Sequence, residues 1–182
     1  TNFKFVDEIL GEHNNYQEEK GNKVYDCFPF FNELDLLELR LNELNDVVDY
    51  FVISEGNLTH SGKSKPYYFE ENKERFKDFL HKIIHIKVDQ WPDKEFRAGD
   101  GEHWTREHHQ RNCLSQGLID CSDNDIIIVS DLDEILRPET IKNYNPSDGI
   151  CTIELDFYYY YFNCYKSKWL QPFIGTYGDI KA

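Results

Sequence analysis

Two carboxylates one residue apart, Asp131 and Asp133, follow directly on the apolar run Ile126-Ile127-Ile128-Val129 and a single serine. The run is far shorter than the roughly 20 residues needed to cross a membrane. Its residues are all β-branched, so it reads as a buried strand of a parallel sheet. In open α/β sheets ligands sit outside the carboxyl ends of the strands, and both acids fall at such an end. Alternation along extended chain turns both side chains to the same side. Two hard oxygen donors so placed suit Mn²⁺ or Mg²⁺, which take one or two carboxylates and complete their shell from water and substrate phosphates. An Asp after a strand also caps turns, but the abrupt step from apolar to acidic favours the metal reading.

The bulk numbers narrow the ligand. The chain has 182 residues with 34 acidic against 20 basic side chains, a net charge of −14. Nucleic acid is excluded as a partner, because phosphate backbones need clustered Lys and Arg. An acidic chain that takes an anionic nucleotide diphosphate needs a cation to bridge the two. Five cysteines with no CxxC pair exclude a structural zinc site and a disulfide framework, and we expect reduced, mostly buried thiols. No membrane segment or signal peptide is visible. The chain begins at Thr1 and contains no Met. We therefore expect a trimmed piece, cytoplasmic or lumenal if an anchor was removed, and shortened at the C-terminus, where Gly175–Ala182 shows no closing element.

Strands and helices alternate ahead of the acidic pair. Lys23–Phe28 reads as a strand interrupted by Pro29. Leu34, Leu37, Leu41 and Leu44 lie on one face of a helix for which Asn32 is the expected N-cap. Asp49–Ser54 and Lys82–Val88 read as strands, Glu70–Leu80 and His103–Leu118 as helices, and Asp125–Ser130 as the fourth strand. The order β-α-β-α-β-α-β predicts an α/β fold: a Rossmann-like, mostly parallel sheet with right-handed crossovers and helices on both faces. Pro138–Asn145 reads as a short helix. Gly149–Asp156 and Phe157–Phe162 read as strands, giving a mixed region after the Asp-x-Asp. Residues 1–20 form an arm or short helix ahead of one domain over 21–182.

Several blocks together resemble glycosyltransferase family 17, the bisecting N-acetylglucosaminyltransferases. They are Val24-Tyr-Asp-Cys-Phe-Pro-Phe-Phe-Asn-Glu-Leu-Asp-Leu-Leu-Glu-Leu-Arg40, Val48-Asp-Tyr-Phe-Val-Ile-Ser-Glu55, Asn57-Leu-Thr59 with Gly62, Arg111, and Asp131-Leu-Asp-Glu-Ile135. The resemblance runs from about Lys23 to about Tyr161. It implies a GT-A fold with an acceptor-binding half after the Asp-x-Asp, and inverting transfer of GlcNAc from a UDP-GlcNAc donor to a glycan acceptor. The family continues past the point that matches Lys181.

Roles follow for single residues. Asp133 is assigned to the metal, and Asp131 to metal or ribose. Phe28, Pro29, Phe30 and Asn32 end the first strand, where a uridine would lie and an aromatic ring can stack on the base. Glu55 ends the second strand and can accept from a ribose hydroxyl or the uracil N–H. Arg111 can pair with the diphosphate or with Asp131. Glu134 reads as structural, and His108 and His109 point to different faces and do not make a metal pair. An inverting transfer needs one general base; Glu154 and Asp156 are the acids in the strand after the metal site, and Asp156 is the candidate. Tyr158 to Tyr161 and Trp169 can stack on sugar faces or form a half-buried strand. Asn57 and Thr59 shape their loop or touch the donor.

Two alternatives stand beside the transferase. A haloacid-dehalogenase-type phosphatase also places Asp-x-Asp after an apolar strand, although that strand normally opens its domain. A piece that binds a UDP-sugar without turning it over is the other.

Overall fold

The computed structural model describes residues 21–59, 61–92, 102–161 and 163–182. The arm or helix expected for residues 1–20, most of the loop expected for 90–101, and the end of the strand expected at Phe162 lie outside them.

Four parallel strands make the frame: β1 (Val24–Phe30), β2 (Tyr50–Gly56), β3 (Ile83–Val88) and β4 (Ile126–Val129). β1 pairs with β2 and with β4, and β2 with β3, all parallel. Two later strands, β5 (Cys151–Thr152) and β8 (Phe173–Thr176), extend the sheet to the order β3-β2-β1-β4-β8-β5, with β8 antiparallel to both neighbours. A separate antiparallel ribbon is formed by β6 (Leu155–Tyr158) and β7 (Tyr165–Trp169). The fold is therefore α/β with a mixed, mostly parallel six-stranded sheet, and the mixing falls after the acidic pair.

Alternation along the strands splits the core in two. Phe28, Phe30, Phe51, Ile53, Ile126 and Ile128 point to one face, where helix α1 (Leu34–Leu44) buries Leu37, Leu41 and Leu44. Tyr25, Cys27, Val52 and Ile127 point to the other, against Leu114 and Leu118 of the 3₁₀ turn at Cys113–Leu118 and Ile180 of a short C-terminal helix. Burying a Leu or Ile stabilises by about 1.5–3 kcal/mol, so these two layers hold the sheet between them. Gly117 permits the second: a Cβ there would lie 2.4 Å from Val52 Cγ1.

Several elements depart from expectation. β1 continues through Pro29 to Phe30. Its odd-numbered residues turn their backbone toward β4, whose pairing ends at Cys27, so the missing N–H of Pro29 costs no ladder bond. Asn32 is not the cap of α1. Glu33 occupies that position, and its carboxylate turns back to accept from the amides of Phe31 and Asn32. The helix expected over 70–80 breaks into a single turn, α2 (Tyr68–Glu71), and a 3₁₀ turn at Lys73–Phe76. Asn72 Nδ2 takes the carbonyl of Tyr68 at 2.7 Å, so a side chain replaces the backbone donor that would continue the helix. Helix α3 (Glu102–Asn112) tightens to 3₁₀ from Cys113 onward. All five cysteines are free, but only Cys27 and Cys113 are buried, and Cys164 is exposed.

Candidate active site

In the parallel part of the sheet, the direction of chain progression reverses between β1 and β4, and the crevice outside their carboxyl ends is the expected ligand site. A cleft of about 270 Å³ lies there. Pro29, Phe30 and Phe31 form one wall, Leu36 and Leu132 add apolar surface, and Gln110 contributes from α3. Among the described residues the charged groups that line it are Glu33, Glu107, Asp131 and Asp133, with no Lys or Arg.

The loop carrying the acidic pair is held from below. Arg40, on α1, is fully buried, and so is Asp26 on β1. Arg40 Nε and Nη2 donate to the two carboxylate oxygens of Asp26 at 2.8 and 2.6 Å. The same guanidinium donates to Ser130 Oγ at 2.6 Å and to the carbonyls of Asp131 and Leu132 at 2.7 and 3.1 Å. A planar five-donor fork is the side chain suited to this task. Glu134 secures the loop from the other side: Oε2 accepts from the amide of Asp131 at 2.8 Å, and Oε1 accepts from the indole N–H of Trp169 on β7. Burial pushes the Glu134 carboxyl up, against the pull of those two donors.

The expected site residues separate. Pro29, Phe30, Asp131 and Asp133 line the cleft. Arg111 Nη2 holds Asp131 Oδ1 at 2.5 Å, one of the two partners expected for it. Phe28 does not line the cleft: it is fully buried, with the Arg40 guanidinium over its ring at 4.3 Å. Asn32 is exposed outside the lining. Glu55 turns inward, fully buried, and accepts from Lys65 Nζ and the amide of Phe69 at 3.3 Å, with His85 Nε2 at 3.0 Å. Burial lowers the Lys65 ammonium below its ordinary range. Asp156 stands on the exposed ribbon and shares Lys168 with Glu154, at 2.7 and 3.2 Å, outside the cleft lining. Asn57 shapes its loop by accepting from Trp91 Nε1, and Thr59 by bonding Ser61 and Lys63.

Arg40, Glu33, Gln110 and Glu107 were not singled out from sequence. Gln110 is buried and donates to the carbonyls of Phe30 and Ser54 at 3.1 and 2.8 Å, tying together the ends of β1 and β2 beneath the cleft. Arg40 and Asp26 did carry a signal: an arginine on the Leu37–Leu41–Leu44 stripe and an acid within an apolar strand.

Among the described residues no cluster of three or more His, Cys, Asp or Glu side chains forms a ready-made metal cage. Asp131, whose Oδ1 is paired with Arg111, and the exposed Asp133 are the oxygen donors that could hold an ion of the Mg²⁺ or Mn²⁺ kind, which needs one or two carboxylates and takes the rest from water and substrate phosphates. They do not fit a closed zinc site.

The chain is an α/β protein with a carboxylate-lined cleft at the switch point of its mostly parallel sheet, the place where such sheets ordinarily take a ligand. The chain matches the family model described as glycosyltransferase family 17 over residues 5–177, and it belongs to that family. It is 32% identical over 137 residues to the rat and human proteins named beta-1,4-mannosyl-glycoprotein 4-beta-N-acetylglucosaminyltransferase, and 31% identical to the mouse one. The match covers 72% of this chain and 25% of each relative, so the chain spans about a quarter of the relatives' length.

Proposed function

We propose that this chain carries the donor site of a divalent-cation-dependent, inverting transferase that moves N-acetylglucosamine from a UDP-sugar to a mannose-bearing glycan. The observation that carries the reading is the charge of the cleft. Among the described residues four carboxylates and no basic side chain line it, so a nucleotide diphosphate entering past those residues would meet like charge unless a cation entered with it. A cation held by Asp131 and Asp133 would offset the charge that develops on the leaving diphosphate. The ring of Phe31 and the apolar edge of Pro29 offer a surface for a nucleobase. Arg111 restrains the Asp131 side chain, and Arg40 with Glu134 fixes the backbone of the loop, so Asp131 is set before a ligand arrives. The family resemblance supports UDP-GlcNAc as donor and a GT-A arrangement. The relatives' names support a mannosyl acceptor.

Calorimetry of UDP binding with Mn²⁺, with Mg²⁺ and with chelator tests the cation, and a thermal-shift series of UDP-, GDP- and CMP-sugars tests the donor. We expect UDP to bind tightly only with metal, Mn²⁺ to exceed Mg²⁺ only slightly, and UDP-GlcNAc to stabilise most. Equal UDP affinity with and without metal, or preference for a GDP-sugar, overturns the reading. Metal-dependent hydrolysis of UDP-GlcNAc, which needs no acceptor, separates a working site from one that only binds.

A further inference from the structure

The β6–β7 ribbon carries a line of aromatic rings that the donor reading leaves without a task. Trp169 and Phe157 have ring centroids 5.3 Å apart, Phe157 and Tyr159 5.9 Å, and Tyr159 and Tyr160 4.3 Å. The line is open to solvent at both ends and half-buried at Phe157 between them: Trp169 is 36% exposed, Tyr159 46% and Tyr160 85%. Its inner end is fixed to the Asp-x-Asp loop, because the Trp169 indole donates to Glu134, whose other oxygen accepts from the Asp131 amide. Its outer end is held out by the backbone. Tyr160 sits at φ 65°, in the left-handed region that a hairpin tip ordinarily gives to Gly or Asn, and its ring projects from the tip.

We propose that this line is the saccharide-binding strip for the acceptor, leading away from the Asp-x-Asp loop; the proposal rests on the transferase reading of the cleft. The chemistry selects a saccharide. A pyranose presents one C–H face, which stacks on an aromatic ring, and a rim of hydroxyls that needs donors and acceptors beside the ring. The strip supplies both. Its apolar surface is aromatic and bears the tyrosine hydroxyls, and the Lys166 ammonium, over one face of the Phe157 and Tyr159 rings at 5.6 and 4.7 Å, adds a donor while leaving the other ring faces for stacking. The fixed inner end gives direction: a sugar stacked at Trp169 lies next to the loop that bears Asp133, and the rest of an oligosaccharide runs outward along Phe157, Tyr159 and Tyr160.

The opposite face of the ribbon supplies the control. Tyr158 and Tyr165 pair there at 5.8 Å and are exposed to a similar degree as Tyr159, but alternation turns them away from the strip. Binding of a β-mannosyl-terminated oligosaccharide, with maltotriose as comparison, is measured by calorimetry on the whole chain. UDP binding with Mn²⁺ is measured in parallel. We expect the double substitution Tyr159→Ala with Tyr160→Ala to raise the Kd for the mannosyl saccharide tenfold or more, and to leave the Kd for UDP within twofold. Tyr159→Phe, which keeps the ring, and the pair Tyr158→Ala with Tyr165→Ala change saccharide binding less than threefold. The strip is refuted if saccharide binds and the Tyr159/Tyr160 substitution has no effect, or if both pairs weaken it equally. It is also refuted if UDP binds with metal while no saccharide binds, an outcome that leaves the donor reading standing. Saccharide held at the strip with no metal-dependent UDP binding does the reverse. Binding to phosphatidylcholine vesicles or self-association, lost in the Tyr159/Tyr160 variant and unaffected by saccharide, would give the strip a different occupant and overturn the proposal.

Discussion

Arg40 Nη1 donates to the main-chain carbonyl of Asp131 at 2.7 Å across 91 positions of sequence. The side chain of Asp131 lines the cleft while its backbone is held from within the core, so the direction of a candidate ligand is set by a side chain buried away from solvent. Arg40→Met would leave Asp26 buried without a counter-charge, and removal of one partner of a buried pair costs about 3–5 kcal/mol. The further change Asp26→Leu should recover part of that loss. Urea denaturation of the single and double variants measures both, and an unchanged midpoint for Arg40→Met would show that the pair does not support the fold.

Asp133 is exposed, and among the described residues its carboxylate accepts none of the hydrogen bonds that hold the loop. Asp133→Asn should therefore fold normally and gain slightly in stability, since a carboxylate crowded near others is removed. Metal-dependent turnover should fall by about 10²–10⁴, roughly 3–5 kcal/mol of transition-state stabilisation. If the variant unfolds while metal-dependent UDP binding survives in the folded fraction, Asp133 is a structural cap and the cation lies elsewhere.

The approach of Gly117 to Val52 makes a strong demand on a small residue. Gly117→Ala places a methyl 2.4 Å from Val52 Cγ1, within the packed layer between the 3₁₀ turn and β2. Overpacking of this kind costs about 1–3 kcal/mol, more than the gain of up to about 1 kcal/mol that Ala has over Gly in helical backbone. A lowered urea midpoint is expected, and a raised one would mean that the layer yields freely.

Glu70 lies between Lys73 and Lys87, each 2.8 Å away. The Lys73 ammonium first, then Lys87, draws its carboxyl down to about 2. A group depressed on folding contributes stability above its unfolded value, about 4.3, and loses it as pH falls through the folded value. The stability difference between the protein and Glu70→Gln should thus be constant at neutral pH and close between about pH 4.5 and 2. Salt should shrink it, because the group is partly exposed. A difference that is flat across that range would contradict the ion-pair origin.

The frame of the site was readable because its signals are local. An unbroken β-branched run ending in acids marks β4, and Leu at positions 34, 37, 41 and 44 marks α1. What escaped is what the topology brings together from afar. Glu55 stands at a strand's carboxyl end like a ligand contact, yet Lys65 and His85 converge on it from a loop and from β3. Arg40 lies on the buried stripe of its helix, but its partners on β1 and in the Asp-x-Asp loop become visible only once the sheet order is known. The break at Asn72 turned on a single side-chain hydrogen bond. β8 has four residues between Pro172 and a helix, too short for period-two patterning to stand out.

The position of β8 bears on how the chain acquires its shape. β4 is an interior strand, but one of its two neighbours arrives late: Ile126 pairs with Thr176, about fifty residues further on. As the chain emerges from the ribosome, β4 can dock on β1 and still present an unpaired row of amides and carbonyls on its other side. Open edges of that kind recruit other strands. A nascent or proteolysed chain ending before Phe173 would carry its acidic pair on a sticky border, and would sooner add a strand from a neighbouring copy than remain alone.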